Sequence, residues 1–180
     1  MYNINKLKKN LPYDIEELNL KLLDYGDIGW YTDVVKQPFF NEFIDNKFIN
    51  ISEDSIRFKL TNLAMAYKLN MKIAGEARLI LRIGDEKIGG CTIFEKPDNL
   101  IEVGYWILPT YQNKGYAKKL ISHIKDLIFK LNKIDKIDLI IREDNLKSII
   151  IAEKSGYTKV SEFKGKYKNN IIYELRRNNE

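Results

Sequence analysis

The residues best suited to chemistry stand in the stretch PTYQNKGYAKKL, where Gln112, Gly115 and Ala117 form a Gln-x-x-Gly-x-Ala pattern between a strand-like and a helix-like run. The first amides of a helix have no intrahelical acceptor and carry partial positive charge, so they can bind an anion. Gly115 lets the backbone approach an oxygen closely. Three lysines surround this helix start, where they oppose the helix dipole unless an anion is present: Lys114, Lys118 and Lys119.

The pattern by itself leaves two interpretations open, a phosphate cradle or a plain turn that leads into a helix. It is not a P-loop, because a second glycine and the Gly-Lys-Ser/Thr ending are missing, and no dinucleotide-binding glycine fingerprint occurs. The chain has one histidine, one cysteine and no clustered carboxylates, so no metal site is expected. Asn145 stands before a helix-like run, where it would serve as an N-cap.

The elements that must position these residues follow from hydrophobic periodicity. Residues 18–24 predict a first strand, and residues 25–46 one or two short helices broken before Pro38. Residues 52–72 predict a helix capped by Ser52 or Asp54. Residues 77–85, 86–96 and 99–108 predict a three-strand meander, and residues 116–133 an amphipathic helix whose apolar stripe ends at Leu131. A strand, a helix closed by Gly156 and a hairpin complete the pattern.

This order predicts an α+β, or mixed α/β, fold with one central, mostly antiparallel, twisted sheet of about seven strands and helices on both faces. No linker or repeat marks a second domain, so residues 1–180 are interpreted as one domain. Residues 1–17 would be an N-terminal extension, 18–75 a first strand with helices, and 76–180 the anion-binding core.

The composition is that of a globular protein, with 44% hydrophobic and 31% charged residues and a net charge of +5. The scattered basic residues form no stripe, so a nucleic-acid partner is not expected. No apolar run approaches the roughly 20 residues of a membrane span. The beginning, MYNINKLKKN, lacks the apolar centre of a signal peptide. With a single cysteine, Cys91, the expected compartment is the cytoplasm.

Two motifs in order make the sequence resemble a known family. They are IEVGYWILPTYQNKGYAKKLI and REDNLKSIIIAEKSGY, and they resemble the Gln/Arg-x-x-Gly-x-Gly/Ala and Asn-x-x-Ser…Glu-Lys-x-Gly-Phe/Tyr signatures of the GNAT superfamily of acetyl-CoA-dependent N-acetyltransferases. The branch most similar is that of the ribosomal-protein-alanine N-acetyltransferases. The resemblance covers roughly residues 18–177 and implies a GNAT-like fold with acetyl-CoA as cosubstrate.

The resemblance also implies which residues hold coenzyme A. The loop after the meander would bind the pyrophosphate through Gln112, Asn113, Lys114, Gly115, Tyr116, Ala117 and Lys118. The end of the preceding strand, Trp106, Ile107 and Leu108, would pair with the pantetheine arm, and one of its amides would polarise the thioester carbonyl. Asn145 would contact the pantetheine arm as well as cap its helix.

The catalytic residues implied by the resemblance are Glu102 and Ser148. Glu102, on the strand that commonly supplies the family's base, would take the proton of the amine, although an ion pair with a neighbouring lysine is the alternative. Many relatives carry a tyrosine seven residues after the asparagine, where this chain has Ala152. Ser148 matches a serine that some ribosomal-protein-type relatives use to protonate the thiolate, and protonation by water stays open.

The predicted function is transfer of an acetyl group to a primary amine, either a protein N-terminus or a small molecule, by direct attack in a ternary complex. A non-catalytic coenzyme A sensor or scaffold is the alternative, since Ala152 departs from the pattern. The sequence does not choose the acceptor. Because family members are often dimers, a homodimer is one expectation.

Overall fold

The computed structural model of the chain describes residues 7–43, 48, 50–69, 71, 75–130 and 134–177. It contains eight strands and five α-helices in these ranges. The strands are β1 (Tyr13–Ile15), β2 (Leu18–Leu22), β3 (Glu76–Ile83), β4 (Glu86–Lys96), β5 (Leu100–Ile107), β6 (Lys136–Arg142), β7 (Thr158–Lys164) and β8 (Asn169–Arg176). The helices are α1 (Ile28–Val35), α2 (Pro38–Asn41), α3 (Glu53–Lys68), α4 (Tyr116–Phe129) and α5 (Leu146–Lys154).

All eight strands belong to one sheet with the order β1-β2-β3-β4-β5-β6-β8-β7. Neighbouring strands are antiparallel except β5 and β6, which are parallel. The connection between these two strands contains α4, as a parallel crossover requires. The predicted mixed fold with a mostly antiparallel sheet is therefore confirmed.

The sheet has one strand more than the seven expected. Residues 13–15, predicted as part of an N-terminal extension, pair with β2 through a two-residue turn in which Glu16 has a φ of 53°. No turn residue of the usual glycine or asparagine type marks this hairpin, which is why the pattern missed it. The first predicted strand, residues 18–24, ends at Leu22.

The meander was predicted correctly because its turns carry residues that tolerate left-handed backbone. Gly84 between β3 and β4 has a φ of 54°, and Asp98 and Asn99 between β4 and β5 have φ values of 59° and 55°. The helix caps also follow the sequence. The Ser52 side chain accepts a hydrogen bond from the Ser55 amide at the start of α3. Leu131, predicted to end the apolar stripe of the helix over residues 116–133, lies outside the described residues.

Helices cover both faces of the sheet, as predicted. On the first face, α4 and α5 pack against the sheet, and the α4 residues Leu120, Ile121, Ile124, Leu127 and Ile128 are fully buried. On the second face, α1, α2 and α3 form a second cluster around Ile80, with Trp106 at its edge. The first face holds the larger core. None of the described helices combines the length and apolar character needed to cross a bilayer.

Candidate active site

The central feature of the site is a split between the two parallel strands. β5 and β6 pair at Leu100–Lys136, Ile101–Ile137 and Glu102–Asp138, and the register ends there. Both strands continue, β5 to Ile107 and β6 to Arg142, each held by its neighbour on the other side. A wedge therefore opens between β5 from Val103 onward and β6 from Leu139 onward, and we call it the split.

The β5 backbone presents amide groups to the split. The Leu108 amide donates to the Ile88 carbonyl of β4 at 2.9 Å, which fixes the alternation of hydrogen bonds in the β4–β5 register. Because peptide groups alternate in direction along a strand, the Trp106 amide also faces β4. The amides of Tyr105 and Ile107 face the split instead. Of the three strand-end residues expected to pair with pantetheine, only Ile107 has an amide on that side.

The N-terminus of α4 lies where the β5 arm of the split ends. Gly115 is its N-cap residue with a φ of 83°, and Asn113 two residues earlier has a φ of 61°. No side chain caps this helix among the described residues, and the first intrahelical bond is donated by Lys119. The amides of Tyr116, Ala117 and Lys118 therefore point outward without an intrahelical acceptor.

Open space adjoins these amides. A Cβ atom placed on Gly115 would have no described heavy atom within 4 Å, so the glycine is required by its backbone conformation and not by a packed neighbour. Asn113, Lys114, Gly115 and Lys118 are exposed. This geometry would suit an anion, because it presents backbone donors in an accessible position.

The lysines of the motif have different partners. We call the exposed helix start with the amides of Tyr116, Ala117 and Lys118 the cradle. The Lys114 ammonium lies beside it, 5.1 Å from the centroid of the Tyr111 ring. Lys119, which the sequence grouped with the cradle, is turned away from it. Its ammonium pairs with Glu16 at 2.6 Å and Glu17 at 2.9 Å in the β1–β2 turn, because its helical position faces that turn.

Gln112 braces the loop in this structure. Its side-chain amide donates to the Ile107 carbonyl at 3.1 Å, so it fixes the path from β5 to α4. The Tyr111 hydroxyl donates to the Glu86 carboxylate, which attaches the same loop to β4. The loop that carries the cradle is therefore fixed at two points.

Asn145 and Ser148 stand on the other arm, beyond the end of β6. The Asn145 side-chain oxygen accepts the Ser148 amide at 3.3 Å, which is the predicted N-cap of α5. Just before Asn145, the Arg142 guanidinium donates two hydrogen bonds to the Asp144 carboxylate, at 2.6 and 3.1 Å. The Arg142 guanidinium lowers the pKa of Asp144 to about 2. Since parallel strands end at the same edge, this arm and the cradle share one edge of the sheet.

Ser148 lies near a tyrosine that the sequence analysis did not select. Tyr105 is in β5, and its hydroxyl is buried. Burial raises the pKa of this hydroxyl, while the nearby Ser148 side chain opposes that shift. Alternation along β5 places Tyr105 on the first face, the face that α5 covers. Ala152, the α5 residue that stands where many relatives have a tyrosine, is fully buried.

Glu102 occupies the apex of the split. Its carboxylate pairs with Lys96 of β4 at 2.8 Å, and its side chain is 22% exposed. The ion pair that was the alternative interpretation is therefore present, and it leaves part of the carboxylate accessible. Directly across from Glu102 is Asp138, which the sequence analysis passed over because it lies in an ordinary strand pattern.

The aromatic residues of the helical region pack together against β5. The ring centroid of Trp106 lies 5.6 Å from Trp30, 5.8 Å from Tyr31 and 5.5 Å from Phe40. Gly90 leaves room for the indole, since a Cβ there would approach Trp106 within 2.7 Å. These side chains form a core, and the Phe43 ring reaches 5.2 Å from the Arg142 guanidinium on β6. No metal-ligating cluster of three acidic, histidine or cysteine residues occurs in the described part of the chain.

The split sheet and the uncapped helix N-terminus thus place unpaired backbone groups along one edge of the sheet. A family model for the acetyltransferase (GNAT) domain matches residues 18–158. The chain therefore belongs to the GNAT family of acetyltransferases, whose acyl donor is acetyl-CoA, and the predicted family, enzyme class and cosubstrate are confirmed. A sequence comparison with curated proteins finds no match.

The solved structures with this fold include ribosomal-protein acetyltransferases, the branch that the motifs predicted. The ribosomal L7/L12 α-N-protein acetyltransferase RimL in complex with coenzyme A has a TM-score of 0.75 at 15% identity, over 88% of this chain and 93% of that one. A ribosomal-protein-S5-alanine acetyltransferase from Vibrio fischeri has a TM-score of 0.75 at 17% identity, over 92% and 96%. A spermidine N-acetyltransferase from Vibrio cholerae, in complex with coenzyme A and spermine, has a TM-score of 0.74 at 20% identity, over 89% and 95%.

Proposed function

We propose that this protein transfers the acetyl group of acetyl-CoA to a primary amine, by direct attack of the amine on the thioester. The observation that carries the proposal is the split between β5 and β6, which ends beside the open, uncapped N-terminus of α4. The first feature offers free backbone groups to an extended arm, and the second offers amides to a pyrophosphate.

The residues present fit coenzyme A. The amides of Tyr116, Ala117 and Lys118 would hold the pyrophosphate, with the exposed Lys114 and Lys118 ammonium groups beside them. The amides of Tyr105 and Ile107 would pair with the pantetheine arm. The Tyr105 amide, nearer the apex, is then the donor best placed to polarise the thioester carbonyl.

The acid–base groups of the reaction stand on the two arms of the split. Glu102 at the apex would receive the proton of the acceptor ammonium. Ser148 on α5, next to Tyr105, would return a proton to the departing thiolate. A thiolate leaves readily even without protonation, so the reaction depends less on the acid Ser148 than on the base Glu102.

The acceptor we propose is a primary amine, and the relatives act on two kinds. RimL is described as an α-N-protein acetyltransferase, and the Vibrio cholerae structure as a spermidine acetyltransferase. A peptide that begins with alanine and spermidine are therefore the two probes to test first. We place the reaction in the cytoplasm, because Cys91 is unpaired and buried in the core.

The cradle is tested by a charge reversal with a matched control. We expect millimolar coenzyme A to stabilise the unmodified protein against thermal unfolding. Gly115→Glu would place a carboxylate at the anion site, and we expect it to abolish this stabilisation. Gly84→Glu is the control, because Gly84 also has a positive φ and no described heavy atom within 4 Å of an added Cβ, so the backbone strain is similar.

The control variant should still be stabilised by coenzyme A. The site is refuted if Gly115→Glu keeps the same ligand-induced shift, or if coenzyme A stabilises neither the variant nor the unmodified protein. A thiol-release assay with acetyl-CoA and the two amine probes then separates an enzyme from a coenzyme A sensor. Ligand-induced stabilisation without thiol release would identify the sensor.

A further inference from the structure

We propose that Asp138 is a second acid–base carboxyl of this site and takes up the acceptor proton together with Glu102. The inference rests on the proposed acetyl transfer and deepens it, because it assigns a role to a residue that the motifs do not mark. Its basis is the position of Asp138 relative to the split, together with a buried oxygen of Asp138 that has no hydrogen-bond partner in the described part of the chain.

Three carboxylates lie in register across the sheet, and we call them the carboxylate row. The Cα partners are Glu102 of β5 with Asp138 of β6, and Asp138 with Glu174 of β8. Partnered residues on adjacent strands project to the same face, so the three side chains are neighbours about 4.8 Å apart along the row. Asp138 is the central member, and the Glu102–Asp138 pair is the last before the split opens.

The outer members of the row each form an ion pair, whereas Asp138 forms none with the residues that the structure describes. Glu102 pairs with Lys96 at 2.8 Å, and Glu174 pairs with Arg176 at 2.7 Å. The Oδ1 atom of Asp138 is buried and has no hydrogen-bond partner among the described residues. A buried carboxylate oxygen without a donor is costly, so the site favours a proton or a cationic ligand at that atom.

Burial and the neighbouring carboxylates outweigh the neighbouring cations in their effect on the pKa of Asp138. Burial, with the negative charges of Glu174 and Glu102, raises the pKa of Asp138 to about 6, against the opposing effects of Lys136 on its own strand and Arg176 on β8. Tyr157, below α5, interacts electrostatically with the same carboxyl. The carboxyl without an ion-pair partner among the described residues is thus also one whose pKa the fold raises.

A base of this strength suits an amine acceptor. An α-ammonium group has a pKa of about 8 and an ordinary glutamate about 4.3, so transfer to glutamate is uphill by about 3.7 units and transfer to a carboxyl of pKa 6 by only about 2. A smaller difference between the pKa of the ammonium and that of the carboxyl raises the fraction of acceptor that is present as the neutral, reactive amine at the apex. Burial of the acceptor beside the row would reduce this difference further.

The proton and electron balance is complete within the acetyl transfer. Asp138, together with Glu102, takes one proton from the ammonium, the nitrogen lone pair forms the C–N bond, and the C–S bond breaks with its electron pair on sulfur. The second nitrogen proton reaches the thiolate by way of Ser148, giving coenzyme A as the thiol. The carboxyl then releases its proton to water.

The pH dependence of acceptor turnover tests the inference. We expect kcat/KM for the acceptor, at saturating acetyl-CoA, to show an acid limb near pH 6 that Asp138→Asn removes, together with a loss of about 100-fold at pH 7.5. Glu174→Gln is the control in the same row. Because Glu174 raises the pKa of Asp138, its removal should shift the limb to lower pH while the plateau stays unchanged.

The outcomes separate the two proposals. No thiol release by the unmodified protein with either probe overturns acetyl transfer and this inference together. Thiol release with an acid limb that survives Asp138→Asn overturns the role of Asp138 alone, and so does a rise in the acceptor KM without a change in the limb. Asn has nearly the shape of Asp, and an unchanged coenzyme A-induced thermal shift in this variant shows that the fold and the cradle are intact.

Discussion

Asn145 has one role that the fold explains and a second role that only a ligand would show. Its side-chain oxygen caps α5 by accepting the Ser148 amide, while its NH2 group is available to a ligand in the split. The two roles use different atoms. Substitution can therefore separate the stability of α5 from the binding of coenzyme A.

We predict that Asn145→Ala lowers the free energy of unfolding by about 1 kcal/mol, because the cap is lost. Asn145→Asp keeps an accepting oxygen at the cap and should retain nearly all of that stability. If the NH2 group binds pantetheine, Asn145→Asp should nevertheless raise the KM for acetyl-CoA, measured by thiol release. An unchanged KM in the Asp variant would show that Asn145 is a cap and nothing more.

At the scale of elements, the helices on the second face are attached to the sheet by a buried charge. Asp27, which is 1% exposed, precedes α1 and accepts hydrogen bonds from Arg82 of β3 at 2.5 Å and Lys87 of β4 at 2.7 Å. Its other oxygen accepts the Asp24 amide at 3.2 Å. One carboxylate thus fixes α1, and with it the aromatic cluster around Trp106, to two strands.

We predict that Asp27→Ala lowers the free energy of unfolding by roughly 3 kcal/mol, because it leaves two partly buried cations without their counter-ion. Urea unfolding measures this loss. The control is Asp33→Ala on α1 itself, an exposed carboxylate, for which we expect a change of less than about 0.5 kcal/mol. Equal losses in the two variants would contradict the role given to Asp27.

At the scale of the whole molecule, the central carboxyl of the row links folding to pH. The pKa of Asp138 is raised from 3.8 to about 6 in the folded protein, so the folded state binds the proton more tightly than the unfolded state does. The contribution of this group to stability is fully present below pH 3.8. It is lost as the pH rises through about 6.

Thermal unfolding should therefore show Asp138→Asn with a higher midpoint than the unmodified protein at pH 7.5, and a smaller difference at pH 5. The effect is modest because the side chain is partly exposed and water screens its charge. A variant that is less stable than the unmodified protein at pH 7.5 would show that the carboxylate has a favourable partner there, contrary to the structure.

Much of the architecture follows from local chemistry that the sequence displays. The meander, the caps at Ser52 and Asn145, and the break before Pro38 all depend on residues within a few positions of each other, so their propensities act without help from the rest of the chain. The same holds for the cradle at Gly115, because a helix N-terminus is a local object. The sequence did not predict the β1–β2 hairpin, because its Glu-Glu turn contains no residue typical of tight turns.

The tertiary structure alone decided the features that join distant positions. The Lys119 ammonium points away from the cradle, because the β1–β2 turn places Glu16 and Glu17 within ion-pair distance of it. Glu102, Asp138 and Glu174 become neighbours only when three strands adopt one register. Sequence determined which local structures form, because propensity and capping act over a few residues. The direction of each amide and the strength of each carboxyl as a base depend on strand register and burial, which only the folded chain sets.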